Sequence, residues 1–112
     1  MVRGAAQKVY ISGPITNNPA SWLSFKKAQQ FLGSGGHKVY NPMDIEEPNP
    51  VTETEEETWV YYMKKALKML LGADCIYMLE GWEESRGARM EFWVATQLNI
   101  PVHYAHEDYK YV

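Results

Sequence analysis

The sequence has one cysteine, three histidines and no long apolar run, and each of these shortages excludes a class of protein. A lone cysteine, Cys75, cannot build a disulfide framework, and its apolar surroundings predict a buried thiol in a reducing compartment. The histidines, His37, His103 and His106, are too scattered for a metal-ligand motif. No stretch approaches the roughly 18 apolar residues of a membrane span, and the N-terminus lacks a signal-type pattern. We therefore expect a cytoplasmic protein without a metal, a cofactor or a membrane partner.

Positive charge is also scarce. Eleven lysines and arginines against fourteen acidic residues give a formal net charge of −3. This balance provides no general attraction to a phosphate backbone, so a small molecule is a better candidate ligand than a nucleic acid polymer. The sequence also lacks a Walker loop, a dinucleotide fingerprint and a Ser-His-Asp pattern. Its 112 residues, 46% of them hydrophobic, predict one compact domain over residues 1–112.

Apolar strands alternate regularly with amphipathic helices along the chain. Strands are predicted at residues 8–12, 37–40, 74–79 and 101–104. Helices are predicted at residues 21–32, from a cap at Thr52 or Thr54 to about 71, and at 85–98. The helices are long enough for right-handed crossovers between parallel strands. We predict a small doubly wound α/β domain of the flavodoxin or Rossmann type, with four or five parallel strands and helices on both faces.

The strongest indication of a binding site follows the third predicted strand, in residues 81–91. A small-residue loop that leads into a helix places backbone N–H groups and the positive helix end at the carboxyl edge of the sheet, where such folds bind phosphate. Ser85 can cap the helix, and Gly87 lets a ligand approach the backbone. Arg86 or Arg89 can add positive charge. The segment therefore predicts a phosphate-binding helix start.

The loop after the first predicted strand is expected beside this segment. In a doubly wound sheet the two loops meet at the switch point, which brings Ser12-Gly13-Pro14 next to residues 82–91. We expect these three residues to contact the substrate in the shared crevice. Tyr10 can then hydrogen-bond Glu91 and orient it as a nucleophile or base. Glu91 lies on an otherwise small and apolar helix face, and an inward carboxylate needs a function. Trp82 either stacks on a base or packs within the domain.

Two sequence patterns are similar to a known family: Val9-Tyr10-Ile11-Ser12-Gly13-Pro14, and Gly81-Trp82-x-x-Ser85-x-Gly87-Ala88-x-x-Glu91-x-x-x-Ala95. Together they resemble the nucleoside 2-deoxyribosyltransferase superfamily, and within it the short phage and bacterial branch of unknown function (DUF4406-like). The resemblance spans roughly residues 8 to 104. It implies that Glu91 attacks the anomeric carbon of a 2-deoxyribosyl group, expels the base and forms a covalent glycosyl-enzyme. The sugar then passes to another base or to water.

The resemblance also implies roles for the neighbouring residues. Tyr10 would position Glu91, Gly13 and Ile15 would line the nucleoside pocket, and Ser85 with Gly87 would hold a 5′-phosphate. Relatives form dimers or higher oligomers whose neighbours complete the site. The aromatic side chains of the second helix, expected to be exposed, predict such a homo-oligomer here. They are Trp59, Tyr61 and Tyr62.

The sequence departs from the family pattern at one position. Relatives commonly carry an aspartate in the second helix, within Tyr-Met-x-x-Asp-Leu, as the acid that protonates the leaving base. The matching run here ends in Ala66-Leu67, so Ala66 stands where the aspartate is expected. Loss of a positioned acid typically costs 10²–10⁴-fold in rate. Asp44, at the carboxyl edge after the second strand, is the better substitute, and Asp74, at the opposite edge, is the poorer one.

Three functions are compatible with these patterns. The preferred one is a metal-free N-glycosidase or deoxyribosyltransferase that acts on a nucleoside or its 5′-monophosphate. The alternative is a catalytically impaired protein that senses or sequesters a nucleotide-derived signalling molecule, in the host cytoplasm if a phage encodes it. The third is an interaction module with a vestigial pocket. Ala66 favours the second function, because it removes the expected acid.

Overall fold

The computed structural model describes residues 2, 4–16 and 18–109, which form four strands and four α-helices. The strands are β1 (Lys8–Ser12), β2 (Lys38–Tyr40), β3 (Cys75–Met78) and β4 (Val102–Tyr104). The helices are α1 (Ser21–Ser34), α2 (Glu55–Leu71), α3 (Arg86–Gln97) and α4 (Ala105–Tyr109). Two short 3-10 helices cover Pro42–Asp44 and Trp82–Glu84.

The predicted strands and long helices are all present, with small differences at their ends. The short α4 and both 3-10 helices were not expected, because three to five residues carry too little periodicity to be recognised. The 3-10 helix at Pro42–Asp44 follows β2 directly, and the Asn41 side chain caps it by accepting a hydrogen bond from the Met43 N–H at 2.9 Å. Thr54, rather than Thr52, caps α2 by accepting from the Glu57 N–H at 3.1 Å.

The four strands form one parallel sheet in the order β2-β1-β3-β4. Tyr10 in β1 pairs with Tyr40 on one side and with Ile76 on the other. The chain leaves β1 for one edge of the sheet and later returns to β3 on the other side of β1. The switch point therefore lies between β1 and β3, and the prediction of a doubly wound parallel sheet is confirmed.

Alternation along β1 separates two hydrophobic cores. Val9 and Ile11 pack on one face of the sheet, in a cluster that includes residues of α1 and Ala105. Tyr10 points to the other face and packs in a cluster with residues of α2 and α3. Since side chains alternate along a strand, Ser12 shares the face of Tyr10. Helices cover both faces of the sheet, as predicted.

The aromatic side chains of α2 are not exposed as expected. Trp59, Tyr61 and Tyr62 are all partly buried by contacts within the chain. The Tyr61 hydroxyl donates to the Glu46 carbonyl at 3.1 Å, and its ring meets that of Tyr62 edge to face at 5.2 Å. The Arg86 guanidinium lies 3.5 Å from the centroid of the Trp59 ring. These residues pack because the segments before α2 and at the start of α3 fold over them.

In the described part of the chain, no helix is both long enough and apolar enough to cross a membrane.

Candidate active site

Glu91 lies on the inward face of α3, between Ala88 and Ala95 on the same buried stripe. Only 5% of the residue is exposed. The Tyr10 hydroxyl donates to Oε2 at 2.5 Å, and the Ser12 hydroxyl donates to Oε1 at 2.6 Å. The small alanines on either side allow the helix to approach β1 closely enough for these contacts. Both carboxylate oxygens are therefore held by hydroxyls from a single strand.

Burial raises the pKa of Glu91 to about 7, and the hydrogen bonds from Ser12 and Tyr10 oppose that rise. Burial, followed by the charge of Glu91, raises the pKa of Tyr10 well above its ordinary value. Tyr10 therefore keeps its proton and remains a hydrogen-bond donor. Glu91 changes charge near neutral pH, which suits a nucleophile or a proton-transfer group.

The two loops at the switch point meet, as expected. A Cβ added to Gly13 would lie 2.8 Å from the Leu79 Cβ, so only glycine allows the loop after β1 to approach the end of β3. A Cβ added to Gly81 would lie 3.4 Å from the Pro14 Cγ. Ile15 is exposed beside these contacts. The loops after β1 and β3 therefore pack against each other at the carboxyl edge of the sheet, next to Ser12.

Ser85 caps α3, as predicted, by accepting from the Ala88 N–H at 3.2 Å. The neighbouring Gly87 faces α2. A Cβ added there would lie 3.0 Å from the Met63 Sδ and 3.8 Å from the Trp59 Nε1. The glycine therefore allows α2 to pack against the start of α3, a role that its position in the sequence did not reveal.

Both arginines at this end of α3 have partners within the chain. Arg86 makes two hydrogen bonds to the Glu56 carboxylate, at 2.8 and 2.9 Å. Arg89 donates to the Glu83 carbonyl at 3.0 Å. A phosphate at this helix end would compete with Glu56 for the guanidinium of Arg86.

The remaining predicted site residues divide into near and distant groups. Ala66 is 4% exposed and belongs to the same apolar cluster as Tyr10. Trp82 packs within the domain, since its ring stacks on Phe92 with centroids 4.5 Å apart. Asp44 is exposed and lines a surface depression of about 440 Å³. The residues that line this depression are Asp44, Ile45, Glu46, Tyr61, Lys65, Lys68 and Met69, and Glu91 is not among them.

Asp74 lies where the sequence placed it, at the amino edge of the sheet. Its carboxylate accepts from the Lys8 N–H at 2.8 Å, at the start of β1. Parallel strands present their carboxyl ends at the opposite edge, where Glu91 is held. The position therefore gives Asp74 a structural contact rather than a place beside Glu91.

A second depression of about 400 Å³ lies beside the end of β3, on the α1 side of the sheet. It is lined by Pro14, Ser24, Phe25, Lys27, Leu79, Glu80, Ala105 and His106. Among the described residues, no group of three or more His, Cys, Asp or Glu side chains is arranged to hold a metal ion.

A doubly wound sheet with a buried carboxylate beside its switch point defines a class of α/β proteins that bind ligands at the carboxyl edge of the sheet. Within that class, a family model described as a domain of unknown function (DUF4406) matches residues 7–104. The chain belongs to this family. The predicted resemblance to this branch is thereby confirmed.

Two solved structures share the fold. One is a 2-deoxyribosyltransferase from Bacillus psychrosaccharolyticus, a biocatalyst for nucleoside synthesis, with a TM-score of 0.64 and 24% identity. The match covers 87% of this chain and 70% of that one. The other is a conserved protein from Enterococcus faecalis V583, with a TM-score of 0.62 and 18% identity, over 89% of this chain and 63% of that one. No curated protein matches the chain significantly.

The buried carboxyl predicts an unusual dependence of stability on pH. Because the pKa of Glu91 is about 7 in the fold, against an ordinary 4.5, the unfolded chain releases this proton first as the pH rises. The free energy of unfolding therefore falls as the pH rises from 4.5 to about 7. The loss is on the order of 3 kcal/mol, because each pH unit contributes about 1.4 kcal/mol. Glu91→Gln should stabilise the protein at pH 8 and change little at pH 4.5, as measured by urea unfolding.

The control for this comparison is Glu84→Gln, which neutralises an exposed carboxylate. It should leave the difference between the two pH values unchanged. An equal effect of Glu91→Gln at both pH values would contradict the argument.

Proposed function

We propose that this protein cleaves or transfers the N-glycosidic bond of a nucleoside or nucleoside 5′-monophosphate, with Glu91 as the nucleophile. The observation that carries this proposal is the buried Glu91 carboxylate, bonded through both oxygens to Tyr10 and Ser12. An ionisable group held in this way at the carboxyl edge of a doubly wound sheet is typical of a reactive site. The fold shared with a 2-deoxyribosyltransferase supports the choice of substrate class.

The reaction has two steps. A Glu91 oxygen attacks the anomeric carbon, the glycosidic C–N bond breaks, and its electron pair leaves with the base, which takes up a proton. Water or a second base then attacks the same carbon and loses a proton to solvent, and the bond between that carbon and the Glu91 oxygen breaks to restore the carboxylate. Tyr10 and Ser12 hold the carboxylate between these steps, because their donated hydrogen bonds favour its charged form.

Protonation of the leaving base is the weak point of this mechanism. Ala66 packs in the cluster that contains Tyr10, at the position where the family pattern has an acid. An aspartate there would lie on the side of the sheet that carries Glu91. The native chain is therefore expected to release the base slowly, since it lacks a positioned acid.

Ala66→Asp should raise the rate of deoxynucleoside or deoxynucleotide cleavage by on the order of 10²-fold, as measured by chromatography of the released base. Ala66→Asn is the matched control, because it adds similar volume without an acid. The gain should disappear when Glu91→Ala is combined with Ala66→Asp. Fast cleavage by the native chain would contradict the missing-acid argument.

The alternative function is nucleotide binding without turnover, which senses or sequesters a nucleotide-derived signal. Ala66 favours it, because alanine supplies no proton to a leaving base. In that case Ala66→Asp would weaken binding and create no product. Tight nucleotide binding with no cleavage by either form would select this function over the first.

The start of α3 is proposed to bind the 5′-phosphate, through Ser85 and the adjacent backbone N–H groups. Ser85→Ala should weaken a nucleoside monophosphate by about 1–2 kcal/mol and hardly affect the matching nucleoside, by titration calorimetry. Since Ser85 also caps α3, its loss lowers stability by about 1 kcal/mol.

Thr54→Ala is the control for the lost cap, because Thr54 caps α2 with the same kind of hydrogen bond. It should lower stability without a preference between nucleotide and nucleoside. If Ser85→Ala weakens the binding of the nucleotide and of the nucleoside equally, Ser85 does not bind the phosphate.

We also propose that the protein forms a homo-oligomer, although not through the aromatic side chains of α2. Met90 and Trp93 lie one turn apart on the outer face of α3, and Trp93 is 62% exposed. Glu91 points to the opposite, inward face of the same helix, so a neighbour seated on Met90 and Trp93 would cover α3 from its outer side. Light scattering at micromolar concentration should give a multiple of 12.9 kDa.

Trp93→Glu should reduce that mass, because a charge at an apolar contact is costly to bury. Trp22→Glu is the matched control, since Trp22 is similarly exposed on α1. A native chain that stays at 12.9 kDa would contradict the proposal.

A further inference from the structure

Ser12 occupies a place that its sequence motif did not indicate. The motif suggested a contact with the substrate, whereas its hydroxyl donates to Oε1 of Glu91 at 2.6 Å. Ser12 has no exposed surface. It stands two residues after Tyr10, on the same face of β1, and the two hydroxyls hold different oxygens of one carboxylate.

We infer that Ser12 is a positioning residue for Glu91, which fixes the carboxylate through Oε1 while Tyr10 holds Oε2. A single bond from Tyr10 would leave the carboxylate free to turn about its last torsion. Two donors from a rigid central strand remove that freedom. For its catalytic meaning this inference rests on the proposed function, but the contact itself can be tested without a substrate.

The hydroxyl of Ser12 cannot serve Glu91 and a substrate as a donor at once. A serine hydroxyl carries one hydrogen, and here the Glu91 carboxylate accepts it. The hydrophobic cluster around Tyr10 includes Ala66 of α2, Met78 of β3 and Ala88 of α3, and two further tyrosines, Tyr40 and Tyr104, pack against it. Tyr10 also donates to Glu91, and the two hydrogen bonds together oppose the rise in the Glu91 pKa that burial causes.

The test follows the proton on Glu91 directly. The protein is labelled with ¹³C at the glutamate side-chain carboxyl, and the Glu91 signal is assigned by its loss in Glu91→Gln. In Ser12→Ala the Glu91 pKa should rise, because a hydrogen bond to the charged form is gone. At pH 6 the ionised fraction of Glu91 should fall by on the order of tenfold. Ser12→Thr, which keeps the hydroxyl, should restore the native titration.

Turnover gives an independent readout. In Ser12→Ala, kcat should fall most at pH 6 and recover in part at pH 8, while KM changes little. Ser34→Ala is the control, since that hydroxyl bonds only its own helix at the Gln30 carbonyl, on the exposed side of α1. It should match the native protein in every measurement.

Two results would overturn the inference. One is an unchanged Glu91 titration in a Ser12→Ala protein that melts like the native one. The other is a raised KM with an unchanged Glu91 titration, which would return Ser12 to substrate binding. If Ser12→Ala does not fold, Ser12→Cys provides a weaker donor of similar size, and its Glu91 pKa should also rise. The carboxyl titration decides the inference even if no nucleoside is turned over.

Discussion

The hydrogen bonds from Tyr10 and Ser12 to Glu91 are the contacts on which the rest of the site depends. A carboxylate that is 5% exposed loses most of its hydration, and an unpartnered charge in that position would be strongly unfavourable. Two hydroxyls at 2.5 and 2.6 Å replace part of that hydration. Their effect is incomplete, because burial still raises the pKa of Glu91 to about 7. The fold therefore keeps a buried carboxyl group at the cost of stability that is lost as the pH rises from about 4.5 to about 7.

These hydrogen bonds require close packing of α3 on β1 and of the loop after β1 on the end of β3. Ala88 and Ala95 give α3 a narrow inner face, so the Glu91 side chain reaches the strand without a larger neighbour in the way. At the end of the strand, Gly13 allows the following loop to lie against Leu79. Small residues in these places allow the backbones of neighbouring elements to approach closely. This approach brings Glu91 within hydrogen-bond distance of Tyr10 and Ser12.

The start of α3 is shaped by its contact with α2. The absence of a side chain at Gly87 allows Met63 and Trp59 of α2 to pack against α3. Arg86 of α3 also forms an ion pair with Glu56 of α2. A site that receives a phosphate there also has to accommodate this ion pair. Helix α2 also carries Ala66, at a buried position in the same cluster as Tyr10. The helix α2 therefore contacts both the start of α3 and the cluster around Tyr10, while Glu91 lies on α3.

Much of this architecture follows from the sequence alone. Three features depend only on residues that are close in sequence: the alternation of strands and helices, the cap at Ser85 and the inward orientation of Glu91. The Tyr10 contact could be predicted because a parallel sheet brings the end of β1 to the start of α3. Tertiary structure alone decided the partners of several other side chains. Ser12 bonds Glu91 instead of facing a ligand. Trp82 stacks on Phe92, and Arg86 pairs with Glu56. Sequence periodicity does not encode these pairs, because the partners are distant in sequence or the choice between partners depends on side-chain geometry.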